Sequence, residues 1–143
     1  MSEFRTIMVA VDMSEQSDRA VAVARDLAKA TGGAVHLLHL KEHDVLLGKM
    51  GGGSFERETD EEVETLLAKE LAVFREASVE VAADVRRARV EDTARAILLV
   101  ADEVEADVVV IGLHGPSVFS ALMLGGTAYK VLHATKRPVL AVP

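Results

Sequence analysis

Residues 112–130 read GLHGPSVFSALMLGGTAYK. Gly112 and Gly115 stand three residues apart, and after nine more residues come Gly125, Gly126 and Thr127. Just upstream, DVVVIG (Asp107 to Gly112) is the short apolar run expected of a strand buried on both faces. Downstream, Thr127 to Ala134 reads as a helix. A strand that enters a glycine-rich turn and then a helix can offer backbone N–H groups and a positive dipole end to an anion. On that reading Gly112 and Gly115 form one lip of a phosphate pocket and Gly125, Gly126 and Thr127 the other. The plainer reading is a tight turn and a helix start, and spacing alone leaves both open. The stretch is not a P-loop, because no Gly-Lys-Ser/Thr follows.

Outward from this stretch the chain alternates strands and helices. TIMVAV (Thr6 to Val11) is a second apolar run, and it ends at Asp12 rather than at glycines, so it carries no dinucleotide fingerprint. Ser14 or Ser17 can cap the next helix, in which Ala20, Val23, Ala24, Leu27 and Ala28 recur at helical spacing before Gly32 and Gly33. AVHLLHL (Ala34 to Leu40) is a further strand. Residues 41–58 show no clear period, and Gly51, Gly52, Gly53 and Ser54 mark them as a mobile connection at the ligand-bearing end of the sheet, with a lid beside the pocket as the alternative.

Thr59 and Glu62 have capping-box spacing ahead of a stripe of Val63, Leu66, Leu67, Leu71 and Phe74. SVEVAADVRR (Ser78 to Arg87) alternates, with Val79, Val81, Ala83 and Val85 on one side, which predicts an edge strand. Asp92 can cap a helix that turns Ala94, Ile97, Leu98 and Ala101 inward, and PVLAVP closes the chain as a strand. The fold class is therefore α/β: a single domain over 1–143 with an open five-stranded parallel sheet and helices on both faces, Rossmann-like. If the strands ending at Asp12 and Gly112 are neighbours, both ends share one crevice at the switch in strand order.

Composition narrows the function. The formal net charge is −7, and aromatic residues make up 3% of the chain, so neither a basic face for phosphate backbones nor a platform for stacked bases is available. Nucleic acid and membrane insertion are not expected. The absence of cysteine excludes thiolate chemistry and zinc-thiolate sites. With no secretory pattern at the start, a cytoplasmic protein is expected. His36, His39 and His43 are not a metal set, since strand residues 36 and 39 point to opposite faces. Ser117 and Ser120 lack an identifiable base, so no catalytic residue is assigned and any ATP hydrolysis is expected to be weak. A receiver-domain role for Asp12 lacks the partner acids and lysine it would need.

Residues 106–142, ADVVVIGLHGPSVFSALMLGGTAYKVLHATKRPVLAV, resemble the carboxyl end of the universal stress protein family, which carries Gly-x2-Gly-x9-Gly-Ser/Thr between its fourth strand and last helix. TIMVAVDMSEQSDRAV and VEDTARAILLVADEVEADVVVIG resemble its first strand and helix and its third helix and fourth strand. The likeness spans nearly the whole chain apart from residues 42–58. It implies an adenine nucleotide, ATP or another, with Mg²⁺ accompanying the phosphates and no protein ligand for the ion evident. The matching positions are Ala10; Asp12, at the adenosine; Leu40, against the adenine; Gly112 and Leu113, beside the ribose; and Gly115, Gly125, Gly126 and Thr127, around the phosphates. His114, between the two first glycines, is added as a candidate contact. The resemblance also implies a homodimer through Val139–Val142, a strand whose edge would otherwise be unpaired, and a regulatory or stress-tolerance role with unknown protein targets. Alternatives are an interaction module of the same fold that binds no nucleotide, and a slow ATPase.

One position departs from the family pattern. Gly126 stands where Ser or Thr is expected, so a hydroxyl to a phosphate oxygen is lost unless Thr127 supplies it. One such hydrogen bond to a charged group is worth about 1.5–3 kcal/mol, or about one to two orders of magnitude in affinity.

Overall fold

The computed structural model describes residues 4–12, 14–46, 53–56, 58–114 and 125–143. In chain order these form β1 (Thr6–Val11), α1 (Glu15–Thr31), β2 (Ala34–Leu46), β3 (Gly53–Glu56), α2 (Asp60–Glu76), β4 (Val81–Arg89), a 3₁₀ turn (Val90–Asp92), α3 (Thr93–Glu103), β5 (Val108–Gly112), α4 (Gly126–Ala134) and β6 (Val139–Val142). Five strands are mutually parallel in the spatial order β4-β2-β1-β5-β6, as expected, and β3 adds antiparallel to the far end of β2. The chain winds from β1 outward to β2 and β4, then returns to place β5 on the other side of β1. The strand order therefore switches between β1 and β5, whose ends carry Asp12 and Gly112.

Strand alternation divides the core into two layers. Ile7, Val9 and Val11 of β1 and Leu37 of β2 face α1 and α2, where Ala20, Val21, Ala24 and Phe74 cover them. Met8, Leu38, Leu40, Val109 and Ile111 face α3 and α4, under Ile97, Val100, Ala128 and Val131. The small residues on α1 let it approach the sheet closely, so burial here is gained by area over many alanine and valine contacts rather than by large rings. Asp107 stitches the central strands at their start. Its Oδ2 accepts the N–H groups of Arg5 at 2.9 Å and Thr6 at 2.8 Å.

Two expectations need correction. Residues 41–58 are not a plain connection: β2 runs on to Leu46, and Gly53–Glu56 pairs with it as β3. The polar run Lys41–Asp44 hides this because strand continuation there depends on partners distant in sequence, with Lys41 to His43 pairing with Arg87 to Arg89 of β4. The second correction concerns β4. It is an edge strand, as expected, pairing only β2 among the described residues, but Val85 is 42% exposed while Asp84 is half-buried beneath His36 and Arg86. Sequence alternation assigned the apolar side inward, whereas the core covers only the start of that side, at Val79 and in part at Val81.

Candidate functional site

The turn after β1 is built by three side chains. Asp12 Oδ1 accepts the Ser14 N–H at 2.7 Å and the Ser17 hydroxyl at 2.8 Å, and Ser17 Oγ accepts the Asp12 N–H at 2.6 Å. Ser14 is the N-cap of α1, taking the Ser17 N–H. The Asp-x-Ser spacing thus folds the carboxylate back onto a helix start, where its charge is favoured. Among the described residues Oδ2 of Asp12 makes no hydrogen bond, which leaves one carboxylate oxygen for a ligand.

Ala10 and Leu40 belong to the α3 and α4 side of the sheet. Ala10 is only half-buried, although the preceding three residues of β1 are fully buried, and Leu40 is 7% exposed. At Ala10, but not at Leu40, the apolar floor is incompletely covered by the described residues. At the end of β5 a Cβ on Gly112 would come within 3.1 Å of Gln16 Cβ, so glycine there lets the first turn of α1 close on the sheet. Packing alone accounts for this glycine.

Leu113 ties three elements together. Its N–H donates to the Val142 carbonyl at 2.7 Å, and its carbonyl accepts the Gly125 N–H at 3.0 Å. The chain leaves at His114, which is half-buried, and returns at Gly125 to the same spot. Gly115, Ser117 and Ser120 lie outside the described residues.

Gly125 is the N-cap of α4 and supplies no side-chain cap. The N–H groups of Gly126, Thr127 and Ala128 have no acceptor within the helix and none among the other described residues. Gly126 and Thr127 are exposed, and no acidic residue lies in the first turn. A Cβ on Gly126 would meet nothing within 4 Å among the described residues, and its φ is not positive, so those residues do not require glycine there. The structure thus gathers Ala10, Asp12, Leu40, Gly112, Leu113 and the Gly125–Thr127 turn at one end of β1, β2 and β5.

Sequence reasoning passed over the layer behind this crevice. His39, fully buried, bonds the Val11 carbonyl through Nδ1 at 2.9 Å and Glu58 through Nε2 at 2.6 Å. Lys41 pairs with Asp60 on the same side of β2. The period-two pattern of His39 and Lys41, both preceding an acidic helix start, was the available signal. His36 faces the other layer and bonds Asp84 at 2.9 Å. Two surface grooves lie elsewhere: one of about 690 Å³ between the starts of α1 and α2, another of about 380 Å³ between α3 and α4. Neither includes Asp12 or the start of α4.

Comparison with known proteins agrees with this architecture. The model of the universal stress protein family matches residues 3–143. Universal stress protein G of Salmonella typhimurium is 32% identical over 145 residues, covering 97% of this chain and 99% of that protein. The universal stress protein of Archaeoglobus fulgidus, solved in complex with dAMP, superposes with a TM-score of 0.70 at 25% identity, over 99% of this chain and 100% of that one. A universal stress protein solved with cAMP has a TM-score of 0.68 at 23% identity, over 99% and 98% of the two chains, a likeness of fold. The chain belongs to the universal stress protein family.

Proposed function

We propose that this protein binds an adenine nucleotide in the crevice between the ends of β1 and β5, and acts as a cytoplasmic, dimeric regulator with little or no turnover. The observation that carries this reading is the uncapped start of α4, tied by Leu113 to the end of β5, the strand that pairs with β1. A phosphate suits it: three N–H groups without acceptors among the described residues and a helix dipole end free of acids favour an anion. An adenosine suits the other end, where Oδ2 of Asp12 offers an acceptor and Ala10 and Leu40 an apolar floor. The dAMP complex of the Archaeoglobus fulgidus protein supports the nucleotide class. His114 and Gly115 would complete the phosphate side.

Backbone donors do most of the binding here, which is compatible with the absent hydroxyl at Gly126 and favours a nucleotide with few phosphates. Any Mg²⁺ would ride on the phosphates. The dimer would form through β6, which pairs only β5 and leaves Leu140 41% exposed. A second reading, an interaction module without nucleotide, draws on Gly112, whose glycine is explained by Gln16 alone.

Calorimetric titration with AMP, ADP and ATP, with and without Mg²⁺, tests the proposal on the wild type and on Gly126→Ser. Among the described residues nothing lies within 4 Å of a Cβ at Gly126, so the substitution adds a hydroxyl without a clash with them. Micromolar binding by the wild type, tightened about tenfold or more in the variant, is expected. No heat from either protein would refute the nucleotide reading.

A further inference from the structure

We infer that His39, Val11 and Glu58 form a proton-dependent latch that fixes the adenosine end of the proposed nucleotide site, so that nucleotide affinity falls as pH rises. The inference rests on the nucleotide reading of the crevice and adds its regulation.

Donor counting establishes the latch. His39 Nδ1 lies 2.9 Å from the Val11 carbonyl, which can only accept, so Nδ1 carries a hydrogen. His39 Nε2 lies 2.6 Å from Glu58 Oε2. That second bond needs one further proton, held either on Nε2 as an imidazolium or on the Glu58 carboxyl. Without it, the lone pair of Nε2 faces those of a carboxylate at this distance. The contact must then open, or the tautomer must change and release Val11. Full burial of His39 denies it water as a substitute partner.

The geometry connects this proton to the site. The carbonyl of Val11 and the N–H of Asp12 belong to one peptide unit. His39 holds its oxygen, and Ser17 Oγ accepts its N–H at 2.6 Å. Clamped at both ends, that peptide sets the direction in which the Asp12 side chain leaves the strand. The residue after His39 is Leu40, which projects to the opposite face as part of the apolar floor. One imidazole thus fixes the strand ends from which both adenosine-side residues project.

Other charged groups share this layer, and none replaces the proton. On β2 Lys41 is paired with Asp60, and the buried Nδ1 of His43 has no partner among the described residues. On β4 the same face carries Arg87 and Arg89, in register with Lys41 and His43. The start of α2 adds Glu61 and Glu62, and that of α1 adds Glu15 and Asp18. Lys41 and the arginines keep their charge across the neutral range. Glu70, further along α2, is a second group able to titrate there, and it requires a control.

Glu58→Gln separates the possibilities. A neutral His39 keeps its Nδ1 hydrogen on Val11 and accepts the glutamine amide at Nε2, so the latch stays closed without the extra proton. ATP titrations on the full chain between about pH 6 and 8.5, expressed as the wild-type to variant affinity ratio at each pH, cancel the nucleotide's own protonation. The ratio is expected to fall by about fivefold or more across that range, and to fall equally in a Glu70→Gln background. Imidazole nitrogen shifts without nucleotide should show the hydrogen-bond pattern of His39 changing with pH in the wild type and not in Glu58→Gln. A constant ratio would overturn the coupling. If no protein binds ATP at any pH, the nucleotide reading fails and the coupling with it. The latch itself is then decided by amide exchange at residues 58–62, which should speed up with pH beyond the intrinsic rate in the wild type and not in Glu58→Gln; identical protection in the two would overturn the latch.

Discussion

Glu70 offers a stability test that the structure specifies closely. It is 1% exposed on the face of α2 that packs against α1, and its Oε1 has no hydrogen-bond partner. The Lys69 ammonium is 3.9 Å from that oxygen but bonds Asp18 at 2.8 Å instead. Burial, and then the hydrogen bond and negative charge of Asp18, push the Glu70 carboxyl up to about 7. Asp18 is held low, chiefly by its bond to Lys69. The folded protein therefore keeps the Glu70 proton over a range in which the unfolded chain, near 4.5, has released it. In that window the folded state binds more protons, so stability falls as pH rises, and the penalty is complete above about pH 7.

At about 1.36 kcal/mol per unit, the displacement from 4.5 to about 7 corresponds to about 3 kcal/mol. Glu70→Gln removes the ionisation and keeps an amide that can donate to Asp18. The variant should gain about 2–3 kcal/mol over the wild type at pH 8.5 and under about 1 kcal/mol at pH 5. For a chain of this length that is about 6–9 °C in Tm at the higher pH. Denaturant unfolding and thermal melts of both proteins at the two pH values measure it. A variant equally or less stable than the wild type at pH 8.5, or a gain independent of pH, would refute the buried-carboxyl account.

Two further outcomes follow from single contacts. Asp107→Ala leaves the Arg5 and Thr6 N–H groups without their acceptor and should cost about 1–3 kcal/mol in denaturant unfolding, with Asp107→Asn close to the wild type; equal stability of Asp107→Ala and wild type would show that water replaces the carboxylate. For the proposed dimer, Leu140→Arg on the exposed side of β6 should shift the protein to monomer in sedimentation, since an unpaired charge at a strand interface is poorly tolerated. An unchanged sedimentation coefficient would place any dimer interface elsewhere.

Apart from β3 and the extension of β2, the primary sequence determined the order of elements and marked Asp12 and Gly112 as unusual strand ends. Apolar runs such as TIMVAV and DVVVIG are local statements about burial, and caps such as Ser14 and Thr59 act within three residues, so each can be read without the rest of the chain. The glycine spacing and Asp12 were legible for the same reason. Tertiary structure alone decided what depends on distant partners. It made β1 and β5 neighbours, which brought two separate strand ends together. It assigned Gly112 a packing role against Gln16 that spacing could not separate from ligand binding. It extended β2 through a polar run, because Lys41 and its neighbours find hydrogen bonds in β4 and charge in Asp60. It also buried His39 and Glu70, residues that sequence pattern reads as ordinary members of a strand and a helix. A buried ionisable group is defined by the groups around it, and in this fold those come from other elements.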